Sequence, residues 1–283
     1  MESNLSELPT VTSPRHPVAF FVLVYALSAP FWLLSTFNAT SWLPDSLPVT
    51  DIGAVLTPTI AAMILRYRES GAAGVMALLR RMFDFRSVRR RGWLLIAVVL
   101  FPLLYIITYV VMRMLSMPVP HAWHPSPTLG MVFLFFFVGA AAEELGYTAY
   151  ETDALQSRMG ALSAALVIGP IWALWHFPSM MQIGQSARLM AWGFLVTIAF
   201  RVISVWLYNN ASRSVFAVIL AHTVGNTARS AFPGGRGTYE LGSGAVAYSV
   251  VIFFAALTVV LWGPKTLSQF AGRCAIVRRR ASS

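Results

Sequence analysis

Apolar stretches about as long as a bilayer is thick recur along this chain, and they constrain its fold more than any other feature. A helix crosses the hydrocarbon core in about 20 residues. Stretches near 17–37, 49–66, 92–115, 128–150, 161–180, 188–210, 214–232 and 243–263 meet that length. The fifth and seventh are interrupted by polar residues. The expected fold is all-α, a polytopic membrane bundle of about eight helices. Composition agrees: 57% of the residues are apolar and 11% charged, against about 25% charged in a soluble domain. The aqueous connections are too short for a separate soluble domain, so 1–283 reads as one membrane domain. The first apolar run follows MESNLSELPTVTSPRH, which carries acids and no basic leader. It therefore reads as a retained helix, not a cleaved signal peptide. The single cysteine, Cys274, excludes an intrachain disulfide and a cysteine-based metal site.

A formal charge of +10 invites a nucleic-acid reading, but the distribution of the charge argues for a different one. Arg66, Arg68, Arg80, Arg81, Arg86, Arg89, Arg90 and Arg91 lie between the second and third apolar runs. Lys265, Arg273, Arg278, Arg279 and Arg280 lie in the tail. Basic residues collect on the cytoplasmic side of membrane proteins. With both termini cytoplasmic, Arg15, Arg158 and Arg213 join them, leaving Arg113, Arg188, Arg229 and Arg236 outside and Arg201 within a span. The charge then marks a multi-pass protein of the cell membrane and an attraction to anionic lipid, with the bilayer as partner and no nucleic acid. Within 68–91, GVMALLRRMFDF mixes arginines and apolar residues at helical spacing. It reads as an amphipathic helix on the inner leaflet or as a short structured loop.

Polar groups inside the apolar runs are costly, about 2.5–3.5 kcal/mol for a charge even on lenient insertion scales. This chain holds two adjacent carboxylates, Glu143 and Glu144, in its fourth run. His176 follows in the fifth, Arg201 in the sixth, and His222 and Asn226 in the seventh. Adjacent helical residues point about 100° apart, so the two glutamates suit two different roles. Glu143 shares a face with Tyr147, and Glu144 with Thr148. His222 and Asn226, four apart, share a face and could present two donors to one developing oxyanion. A glutamate beside a histidine suits a general base for water. Glu143, His176, His222 and Asn226 together could hydrolyse an amide, and no GxSxG or reactive cysteine competes. Trp172, one turn before His176, could shield or stack on it. In their bland readings, the histidines and Asn226 hydrogen-bond neighbouring helices and the Glu pair is structural, neutral or bound to Arg201.

The order of these groups resembles the CAAX protease and bacteriocin-processing family of intramembrane glutamic endopeptidases, the type II CAAX prenyl proteases. The family's EExxxR motif corresponds to EELGYT, Glu143 to Thr148. Its FxxxH corresponds to Trp172 through His176, and its HxxxN to His222 through Asn226. The resemblance covers roughly 130–228 and places a catalytic core within 128–232. It implies that Glu143 and His176 activate the attacking water, that His222 and Asn226 form the oxyanion hole, and that Glu144 orients the site. No cofactor and no metal is implied, and the partner is a peptide or membrane-protein substrate. Thr148 stands where the family has Arg. Three outcomes follow: Thr148 hydrogen-bonds a protonated Glu144, Arg201 replaces the missing cation, or the site is inactive.

The leading reading is a metal-independent intramembrane endopeptidase. Its alternative is a catalytically inactive relative serving as a membrane scaffold or in bacteriocin self-immunity. A metallopeptidase using Glu143, His176 and His222 and a proton-coupled transporter also remain open. The compact, arginine-rich chain reads as bacterial. A bacteriocin leader or another membrane-proximal peptide is thus as open a substrate as a prenylated C-terminus. One tension remains. Straight helices put Glu143 about 8–12 Å from the arginine-rich face, but His176 about 20 Å from it. Either the fifth span begins deeper, or the fourth is displaced or tilted.

Overall fold

The computed structural model describes residues 16–36, 53–120, 126–235 and 244–268. Asp51, Arg236, Cys274, the N-terminal polar segment and the arginines of the tail lie outside them. The described residues form helices α1 (Pro17–Thr36), α2 (Thr57–Arg80), α3 (Gly92–Met114), α4 (Leu129–Gly146) and α5 (Asp153–Met159), followed by α6 (Ala161–Trp175), α7 (Phe177–Gln182), α8 (Ala187–Asn210), α9 (Val215–Ala231) and α10 (Gly244–Trp262). No strand occurs among them. The protein is a multi-pass membrane helical bundle. Among the described residues, six helical stretches are long and apolar enough to cross a bilayer: Pro17–Leu34, Gly92–Met114, Leu129–Met159, Ala161–Gln182, Ala187–Asn210 and Ala245–Trp262. The runs expected at 49–66 and 214–232 correspond to α2 and α9, which fall short of that measure. Helix α2 carries Arg66, Arg68 and Glu69, and α9 has 17 residues with His222, Asn226 and Arg229 among them.

The fourth run does not end near 150. A π-helical turn, Tyr147–Thr152, joins α4 to α5, so helical structure continues to Met159. Thr152 Oγ1 donates to the Tyr147 carbonyl at 2.8 Å, five residues back. Gly160 then reverses the chain at φ 84, in the left-handed region that favours glycine. This resolves the depth tension. Glu143 stands seventeen residues before Gly160 and His176 sixteen after it. In an antiparallel hairpin they meet at one level, each about 24 Å from the turn by the helical rise.

The α8–α9 turn enters the bundle at a deeper level. There the Arg213 guanidinium lies 3.6 Å from Asp153, and Tyr208 Oη donates to Asp153 at 2.8 Å. His222 follows Arg213 by nine residues, just as Asp153 follows Glu144, so α9 carries His222 to the level of Glu144. Asp84 fastens the start of α9. Its carboxylate accepts from Ser214 Oγ at 2.7 Å and from the backbone N–H groups of Val215 and Phe216 at 3.1 and 3.0 Å. An anion at a helix N-terminus satisfies the orphan donors and the dipole together.

Asp84 lies in a 3-10 turn, Arg81–Ser87, at the end of α2. Helix α2 is kinked at Gly71 (φ 62, ψ −158). The stretch 68–91 is thus largely helical, with Met76, Phe83 and Phe85 exposed. Its Arg81 points inward, donating to the Ala149 carbonyl at 2.9 Å and to Tyr208 Oη at 2.7 Å. Where α2 crosses α4, Gly146 allows contact: a Cβ there would stand 2.7 Å from Pro58. The apolar core gathers Phe20 of α1, Leu65 of α2, Ala141 and Leu145 of α4, Trp172 of α6 and Ile219 of α9.

Candidate active site

The two glutamates diverge as helical geometry requires, and each meets its own partners. Glu144 is fully buried. Arg201, from α8, grips it through both ends of its fork, Nη1 to Oε2 at 3.1 Å and Nη2 to Oε1 at 3.2 Å. Thr148 Oγ1, one turn along, donates to Oε2 and accepts from Arg201 Nη1 at 2.9 Å. His222 Nδ1 lies 3.0 Å from Oε1. An ionised carboxylate accepts only, so with Arg201 beside it the His222 Nδ1–H is the donor. Arg201 also stacks on the Trp172 ring, its Cζ 4.6 Å from the centroid, a cation–π contact. A guanidinium in an apolar run is tolerable here because a carboxylate and an aromatic face receive it. Arg201 thus occupies, from another helix, the place beside Glu144 where the sequence motif leads one to look for Arg at 148.

Glu143 faces the hairpin partner α6. Trp172 Nε1 donates to Glu143 Oε2 at 2.7 Å, and His176 Nε2 lies 4.0 Å from the same oxygen. That gap is too long for a direct hydrogen bond and suits a pair sharing a water. His176 is partly open, its side chain 28% exposed against 10% for Glu143. Trp172 joins the two halves of the site, its ring 5.6 Å from His176 and 5.7 Å from His222. The sequence suggested shielding or stacking for it; the hydrogen bond to Glu143 was not foreseen, although an indole N–H in the place of phenylalanine was the available signal. Asn226 lies one turn beyond His222 on α9, where Arg229 Nη2 donates to its Oδ1 at 2.8 Å. A third carboxylate, Glu151, is fully buried in the π turn with neither oxygen hydrogen-bonded among the described residues, at a position that none of the three motifs marks.

Among the described residues, no three of His, Cys, Asp and Glu converge as metal ligands. The reason is geometric. Glu143 with His176 and Glu144 with His222 form two separate pairs around Trp172, so Glu143, His176 and His222 do not present a common ligand set.

Known proteins resemble the stretch of chain that carries these residues. Residues 125–228 match the model of the type II CAAX prenyl endopeptidase Rce1-like family. CAAX prenyl protease 2 of Methanococcus maripaludis is 25% identical over 150 residues, 50% of this chain and 53% of that protein. The chain thus spans about half the length of the curated relative it matches. The matched residues span all three motif positions, Glu143 to Thr148, Trp172 to His176 and His222 to Asn226, and over this stretch the chain is similar to the type II CAAX prenyl endopeptidases.

Proposed function

We propose that this protein is an intramembrane endopeptidase that hydrolyses a peptide bond near the membrane surface without a metal, using Glu143 as general base. The division of labour between the glutamates carries the reading. Glu144 is committed to Arg201, Thr148 and His222, which leaves it no part in proton transfer. Glu143 has a donor on one side and His176 across a water-sized gap on the other. In this reading a water between Glu143 and His176 attacks the carbonyl carbon, and Glu143 takes its proton. The oxyanion accepts from His222 Nε2–H and from the Asn226 amide. Because Nδ1–H of His222 is directed at Glu144, the ring donates from Nε2 as well only when both nitrogens carry hydrogen. Glu143 then returns the proton to the departing amine as the C–N bond breaks. Arg201 supplies the charge that Thr148 cannot, which supports activity over the inactive alternative.

The catalytic core is 128–232 within a single membrane domain, 1–283. The cell membrane, with both termini cytoplasmic, is the location that the arginine distribution supports. The substrate is a peptide or membrane-protein segment reaching the bilayer surface. The relative's name, CAAX prenyl protease 2, recommends a prenylated C-terminal peptide as one member of a test pool.

The deciding experiment is cleavage of a quenched-peptide pool, with and without a prenylated member, by purified protein in detergent. Wild type is expected to cleave. Glu143→Ala should lose at least about 100-fold, the scale of general base catalysis, and chelator should change neither result. Cleavage that survives Glu143→Ala, or that vanishes with chelator, would sink the mechanism.

A further inference from the structure

The oxyanion role assigned above to Asn226 depends on which end of its amide faces the reacting carbonyl. A carboxamide has a donor end and an acceptor end of nearly the same shape. Turned one way it stabilises a developing oxyanion; turned the other way its Oδ1 repels it. Something must choose between these orientations, and α9 carries a candidate three residues on.

Arg229 Nη2 lies 2.8 Å from Asn226 Oδ1. A guanidinium has donors only, so the amide atom it meets must be the oxygen. The Nδ2–H2 end is then turned away from Arg229. Residues three apart on a helix are neighbours, so the contact needs no change in the backbone. Asn226 is also one turn from His222, so the freed amide donors and the imidazole serve one face. Arg229 is partly buried, and its contact with Asn226 places it beside the same helix face. It lies beyond the last motif residue and is not one of the groups the motifs mark.

We propose that Arg229 is a positioning residue that holds the Asn226 amide with its N–H2 directed at the oxyanion. The inference rests on the peptidase reading above. In this role Arg229 acts on the reaction through Asn226.

The test is a double-mutant cycle on the purified full chain, with Arg229→Met, Arg229→Lys, Asn226→Ala and the double variant Asn226→Ala/Arg229→Met. Arg229→Met should lower kcat about 10- to 100-fold, approaching the loss of one oxyanion donor, with KM within about twofold. Arg229→Lys should recover most of the loss, since an ammonium also donates only. In the Asn226→Ala background, Arg229→Met should cost no more than about twofold, because the group it acts through is gone. Equal losses in both backgrounds would overturn the proposal. A second readout is independent of turnover: the side-chain amide resonance of Asn226 in protein labelled with 15N-asparagine, assigned by its absence in Asn226→Ala. It should shift in Arg229→Met and stay near its wild-type position in Arg229→Lys. An unmoved resonance in Arg229→Met would overturn the positioning role while leaving the peptidase reading intact. A resonance that shifts in Arg229→Met, alongside wild-type protein that cleaves no peptide, would overturn the peptidase reading and the catalytic meaning of the contact with it.

Discussion

Burial makes the ion pair at Glu144 decisive for the fold. Both side chains are fully buried, so removing one partner leaves a charge stranded in a dry interior, at a cost of about 3–5 kcal/mol. Arg201→Leu is therefore expected to lower the thermal midpoint in detergent sharply. Thr148→Arg alone should also destabilise, because two guanidinium groups would then compete for one carboxylate. The double variant Thr148→Arg/Arg201→Leu restores one cation to one anion from the position the motif expects. It should be more stable than either single variant, and a midpoint no higher than the worse single variant would show that the two positions are not exchangeable. Thr148 itself is no mere gap: its hydroxyl bridges Glu144 and Arg201, a link that an alanine would drop.

The hairpin α4–α5–α6 is the element that brings Glu143, Trp172 and His176 together. Its register follows from Gly160, and its shape from the π turn at Tyr147–Thr152. Wide turns of this kind accommodate an extra residue and recur beside functional sites. Here the turn begins three residues after Glu144, at the level where α2 crosses. Close approach of α2 depends on Gly146, since a Cβ would meet Pro58 at 2.7 Å, backbone included. Gly146→Ala should thus overpack the crossing and cost about 1–3 kcal/mol, readable as a drop in melting temperature. Because Thr59 Oγ1 donates to the Ala142 carbonyl at the same crossing, the displacement would be felt one residue from Glu143. A variant that melts at the wild-type temperature would mean that the helices separate there without penalty. Helix α9 is held differently, by its cap. Asp84 binds three donors at the start of α9, so a residue on the far side of the sequence sets where the helix bearing His222 begins.

For the whole molecule, the membrane reading leaves orientation as the property to measure. Cys274 is the single cysteine and lies in the tail proposed as cytoplasmic. A membrane-impermeant thiol reagent should label it in permeabilised cells and not in intact ones; labelling in intact cells would reverse the topology. Much of the architecture was legible in the residues alone. Lengths of apolar sequence dictate helices, because lipid offers the backbone no hydrogen bonds, and spacing dictates which polar groups share a helical face. The divergence of Glu143 from Glu144, and the pairing of Glu144 with Thr148, follow from that periodicity. The ends of helices were less legible. Nothing in the pattern near 150 announces a π turn that carries the helix on to Met159, because the feature is a change of winding and not of composition. Contacts between helices were the least legible of all. Arg201 could be suspected of meeting Glu144 because a buried cation needs an anion, whereas the Trp172 hydrogen bond, the Asp84 cap and the Arg229–Asn226 contact depend on depth and rotation, which no single helix encodes. Sequence alone thus determined the helical membrane fold and the set of chemistry-bearing groups, since both are local consequences of hydropathy and period. The tertiary structure decided which groups meet, since that depends on how far each helix runs before it turns.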